Sequence, residues 1–167
     1  MKKIFFVITV FAFLFIFNKP VHAQFAMDFE EFMGMMSETM TEAQLDELSY
    51  QLPWNIKVMA YGYGDFSGDG KEDIILSIFE KDETPKKSVD VYFFRNKDNK
   101  TYKLVEKKNF KWVELTIEVA FLVADGECKV TSRDNNNWYF THYKIKGSKL
   151  LQTEKESFPI EFEKAGE

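Results

Sequence analysis

From Trp54 onward the apolar residues recur at about every second position, and each such run stops within about ten residues at a turn. This alternation constrains the chain more than any other feature. Strands are expected over 56–63, 73–79, 88–95, 101–107, 113–124, 128–132, 138–145 and 149–154. The breaks between them carry turn chemistry: Asn96-Lys97-Asp98-Asn99, Asp125-Gly126, Asn135-Asn136-Asn137 and Lys146-Gly147. Parallel neighbours need a crossover of a dozen residues or more, so strands joined this tightly run antiparallel. The expected fold is mainly β, an antiparallel meander of about eight strands. The strands divide into two sets of four, 56–107 and 113–154, each about one propeller blade long.

Ahead of the strands, residues 24–53 read as a helical segment with two short helices. Phe29, Phe32, Met33, Met36 and Met40 fall at helical spacing, with Asp28, Glu30 and Glu31 in the first turn. Thr41 and Gln44 have the spacing of a capping box, Leu45, Leu48 and Leu52 form the second apolar stripe, and Pro53 stops it. Thioethers suit soft metals, so the Met-rich stretch could hold copper(I); an apolar helix face lying on the sheet is the ordinary reading.

Residues 1–23 read as a cleavable signal peptide. Lys2 and Lys3 precede an apolar run from Ile4 to Phe17, broken only by Thr9. At about 1.5 Å per residue this run falls short of a bilayer core of about 30 Å. Pro20 and the small-x-small sequence Val21-His22-Ala23 follow, which places the cut after Ala23. The expected address is secreted or periplasmic, with no membrane anchor after cleavage. Loss of Lys2, Lys3 and Lys19 takes the formal charge from −5 to −8, and so acidic a domain is a poor partner for nucleic acid. A single cysteine, Cys128, excludes an internal disulfide and reads as a small buried hydrophobe.

The most informative segment of the β domain, residues 54–167, is the loop Asp65-Phe66-Ser67-Gly68-Asp69-Gly70-Lys71-Glu72-Asp73. It offers oxygen donors at positions 1, 3, 5 and 9, with glycine at position 6, where a sharp turn must bring the chain back. Calcium takes six to eight oxygens, and Asp65, Ser67, Asp69, the Lys71 carbonyl and Asp73 could supply several. Three carboxylates so close together would repel one another unless a cation joined them. An EF-hand would need Glu at position 12 followed by a helix; Leu76 stands there, inside an expected strand.

The stretch Val58 to Ile74, with the loop between two strands, resembles the FG-GAP/VCBS-type repeat of integrin α-chain propellers and many secreted bacterial proteins. The family pattern, Asp-x-(Asp/Asn/Ser)-x-Asp-Gly-x-x-Asp, is matched at each ligand position. The resemblance implies calcium-binding roles for Asp65, Ser67, Asp69, Lys71 and Asp73. It covers about 25 residues, Val58 to Phe79. A closed propeller needs four to eight blades, so one motif in a chain this short implies a partial, blade-like sheet.

No nucleophile can be paired with His142, and no carboxylate spacing singles out an acid/base pair. Tyr61, Tyr63, Tyr92 and Tyr139 could line a carbohydrate- or protein-binding face. The expectation is an exported calcium-binding domain that binds an extracytoplasmic protein or glycan, in adhesion or surface assembly. The alternative is an extracytoplasmic enzyme or enzyme inhibitor on the same scaffold.

Overall fold

The computed structural model describes residues 26–81, 88–98, 100–111 and 120–160. The expected signal peptide and the first part of the expected strand 113–124 lie outside them. The described residues form nine strands and two helices: β1 (Met27–Asp28), α1 (Phe29–Met36), α2 (Glu42–Tyr50), β2 (Ile56–Gly64), β3 (Asp73–Glu80), β4 (Ser88–Asn96), β5 (Tyr102–Lys111), β6 (Ala120–Ala124), β7 (Glu127–Arg133), β8 (Asn137–Lys146) and β9 (Lys149–Pro159). The mainly β, antiparallel reading holds. The two sets of four strands become two sheets, ordered β1-β2-β3-β4-β5 and β6-β7-β8-β9. The short β1, which pairs Met27 with Val58, is the strand that alternation did not reveal.

The helices cover one face of the first sheet and the second sheet covers the other. Phe32, Met36, Leu45 and Leu48 from the helices share a core with Ile74, Leu76 and Ile78 of β3. On the opposite face, Ile75, Val91 and Phe93 meet Phe121, Cys128, Val130 and Tyr143 of the second sheet. Strand β3 is therefore apolar on both sides, which explains why its sequence, Asp73-Ile74-Ile75-Leu76-Ser77-Ile78, does not alternate. Methionines 27 and 36 are buried in the helix-side core, and Met33, Met35 and Met40 pack against it.

Several local signals act as expected. The Thr41 hydroxyl accepts the Gln44 N–H and the Gln44 side chain accepts the Thr41 N–H, completing the capping box. Asp125 and Gly126 take φ of 54° and 72° between paired Ala124 and Glu127, as a primed two-residue hairpin turn requires. Gly62 and Gly64 let the sheets approach: a Cβ on Gly64 would lie 2.7 Å from Val123 Cγ1, and one on Gly62 3.1 Å from Phe121 Cβ. Cys128 is fully buried, and burial pushes its thiol up, away from reactivity.

The candidate calcium loop

The loop between β2 and β3 is anchored at both ends by the sheets. Phe66 is fully buried in the core between the sheets, and its carbonyl accepts the Ile145 N–H of β8 at 2.9 Å. An apolar residue at the second position of an acidic loop thus fastens the loop to the second sheet. Gly68 and Gly70 take φ of 75° and 81°, the left-handed region in which a side chain would be strained.

Each aspartate has a different task. Asp65 Oδ1 accepts the N–H groups of Ser67, Gly68 and Asp69 at 3.2, 2.6 and 3.2 Å, and Oδ2 accepts that of Gly70 at 2.7 Å. Partial burial opposes its charge, but those donors, Gly70 and Gly68 foremost, outweigh it and hold the carboxyl below the ordinary range. Asp69 likewise sits below that range: partial burial opposes the charge, and Arg95 and the Lys71 N–H overcome it. The Arg95 guanidinium donates to Asp69 Oδ2 at 3.0 Å and to the Gly147 carbonyl at 2.6 Å, so it ties the loop to the β8–β9 turn. Lys71 donates to the Lys97 carbonyl and lies 3.5 Å from Asp69.

Asp73 stands apart from these two. It is fully buried and accepts the Asn96 N–H at 2.9 Å and the Phe66 N–H at 3.2 Å. Burial pushes its carboxyl up to about 6; Asn96, the Ser67 hydroxyl and Phe66 pull the other way, and neighbouring Asp69 adds to the rise.

Asp65, Ser67, Asp69, Lys71 and Asp73 thus share one loop, but oxygens of the three aspartates do not all come within 4.8 Å of one another. The structure also adds a partner that sequence reasoning missed, the Arg95 guanidinium. Self-repulsion among the carboxylates is relieved by backbone N–H groups and two cationic side chains, so it is not by itself a demand for a metal. The donor set still suits a hard cation. The three carboxylates, the hydroxyl and the carbonyl are all oxygens, and the innermost carboxylate, Asp73, is the one that burial holds above the ordinary range. An ion there would neutralise Asp73 and compete with Arg95 for Asp69.

The four tyrosines do not form one binding face. Tyr92 is buried in the helix-side core, and Tyr61 and Tyr63 pack against it. Tyr139 lies in the second sheet, its hydroxyl donating to Asp134 at 2.7 Å. Among the described residues the exposed aromatics are elsewhere: Tyr50 at the end of α2, Trp54 shortly after it, and Phe158 on β9, whose ring meets Phe140 edge-on at 5.6 Å. Arg133 and Lys129 lie over the Trp138 and Phe140 rings on the same side of the second sheet. No family model matches the chain, and no curated protein or solved structure matches it.

Proposed function

We propose that this is an exported binding domain whose Asp65–Asp73 loop takes one calcium ion as a structural tie. Its role is adhesion or surface assembly on an extracytoplasmic protein or glycan. The observation that carries the calcium reading is Asp73, a fully buried carboxylate beside Asp69 that burial holds above the ordinary range. The FG-GAP/VCBS resemblance of residues 58–79 supports the same donors, and the signal-peptide pattern of residues 1–23 supports export. For the binding role, the support is the open side of the second sheet. There Trp138, Phe140 and Phe158 form an aromatic strip flanked by cations, the composition that protein and glycan contacts favour.

When bound, calcium would supply charge neutralisation and cross-link the two ends of the loop. The chain's own residues do the rest. Phe66 holds the loop on the second sheet, Asp65 sets its curvature, and Arg95 ties Asp69 to the β8–β9 turn. The test is thermal unfolding of the purified chain in EDTA and in about 10 mM calcium. With a dissociation constant of about 10⁻⁴ M, the low-affinity range of extracellular modules, saturation contributes about 2.7 kcal/mol. That corresponds to a rise in Tm of roughly 5–10 °C. Asp69→Ala should remove the calcium increment. A wild-type Tm that ignores calcium would end the calcium reading.

A further inference from the structure

The second acidic cluster of the molecule lies on the outer side of the second sheet, away from the loop. His142 of β8 pairs directly with Glu154 of β9, and Glu156 follows two residues on, so both glutamates project from the same side as the imidazole. One ligand atom from each of His142, Glu154 and Glu156 falls within 4.8 Å of the other two. Among the described residues this is the one group of three such side chains so disposed.

The imidazole has one nitrogen paired and one without a hydrogen-bond partner. Its Nδ1 lies 3.0 Å from Glu127 Oε2. A carboxylate can only accept, so Nδ1 carries the hydrogen and, in the neutral ring, Nε2 carries the lone pair. Nε2 is buried and has no hydrogen-bond partner, in a side chain only 12% exposed. Glu127 is in turn fixed by Lys144 at 3.2 Å and by the Thr153 hydroxyl at 3.2 Å. Thr153 is the extra residue of a bulge: His142 pairs with Glu154, but Tyr143 pairs with Gln152. The bulge turns Thr153 toward Glu127 while leaving Glu154 opposite the histidine.

We propose that His142 Nε2, Glu154 and Glu156 bind a divalent transition ion, with zinc the best fit, and that Glu127 positions the histidine. One imidazole and two carboxylates match zinc's borderline preference and leave a coordination position open. The carboxylate–histidine pair is the arrangement that metal-ligating histidines use to fix their tautomer. Calcium is the wrong ion here, because it takes oxygen ligands. Zinc bonded at about 2.0–2.2 Å holds its ligand atoms about 3.3 Å apart, and the exposed Glu154 side chain can move to close that distance. The site is independent of the Asp65–Asp73 loop and shares no residue with it.

The experiment is calorimetric titration of the untagged chain with zinc in the presence of excess calcium. Visible absorption of bound cobalt(II) serves as a second readout. Saturation at one zinc per chain is expected. Glu154→Gln and Glu156→Gln should each weaken binding by about tenfold or more, and His142→Gln should abolish it together with the cobalt spectrum. Glu127→Gln should cost about 10- to 100-fold in affinity while the cobalt spectrum, and so the ligand set, stays the same. Asp69→Ala should leave zinc binding unchanged, which separates this site from the calcium loop. Glu154 is exposed and Glu156 is not buried, so their variants should fold as the wild type does. No saturable zinc binding by the wild type, or binding that survives the Glu154→Gln/Glu156→Gln pair unchanged, overturns the proposal.

Discussion

Two acidic regions of this domain solve the problem of crowded carboxylates in opposite ways. In the Asp65–Asp73 loop the chain supplies its own donors. Asp65 takes four backbone N–H groups, Asp69 takes Arg95, and only the buried Asp73 is left with its charge opposed. On the outer side of the second sheet, Glu154 and Glu156 lie beside His142, whose Nε2 has no hydrogen-bond partner, and neither glutamate is buried. The first region is built into the fold and the second is mounted on it. The difference teaches that a carboxylate cluster is informative through what its donors lack, more than through how many acids it holds.

The comparison predicts unequal sensitivity. Phe66→Ala removes the apolar anchor of the loop from a fully buried position and should cost about 3–5 kcal/mol in urea unfolding. Asp65→Ala comes next, since it strips the acceptor from the loop's N–H groups; a loss of about 2 kcal/mol or more is expected. A value near zero would mean that water replaces the carboxylate easily and that the loop is not self-built. Without added metal, Glu154→Ala should stay within about 0.5 kcal/mol of wild type, because its side chain is exposed.

pH should separate the regions too. The Asp73 carboxyl is raised in the fold, to about 6, above the ordinary 3.8. Its contribution to stability is therefore present in full below about 3.8 and is lost as pH rises through about 6. Asp65 and Asp69 are shifted down, so they contribute above 3.8 and are lost as pH falls below it. In EDTA, then, Tm should rise modestly as pH falls from 7.5 to 5.5. Calcium should reverse that slope, because it competes with the proton on Asp73. Equal slopes with and without calcium would place the ion somewhere other than Asp73. Arg95→Met should lower stability by about 1 kcal/mol in EDTA. The same change should tighten calcium binding, since the competitor for Asp69 is gone.

Much of the first region was legible in the sequence, and little of the second was. Alternation located the strands, and the capping box at Thr41 and the Asp125-Gly126 turn are local chemistry that the structure reproduces. The oxygen spacing from Asp65 to Asp73 named the loop. Arg95 could not be found that way, because it reaches Asp69 only through the pairing of β3 with β4. The strand reading of β9 stopped at Glu154, for Glu154-Lys155-Glu156 has no apolar side. The strand in fact continues to Pro159, held by its ladder to β8 and not by burial. No partner for His142 could be named from sequence because its partners stand on two other strands, at a register set by a bulge. Cross-strand constellations of this kind depend on pairing, which a linear pattern does not specify.

The placement of β3 has one more consequence, for the timing of amide exchange with solvent. Its backbone is hydrogen-bonded to β2 on one edge and β4 on the other, and both of its faces are covered. No small fluctuation can wet those amides, so deuterium should enter them only when the whole domain opens. Strand β9, paired along one edge and mostly exposed, should take up deuterium by local fraying long before. One strand thus keeps time for the entire molecule, and the other only for itself.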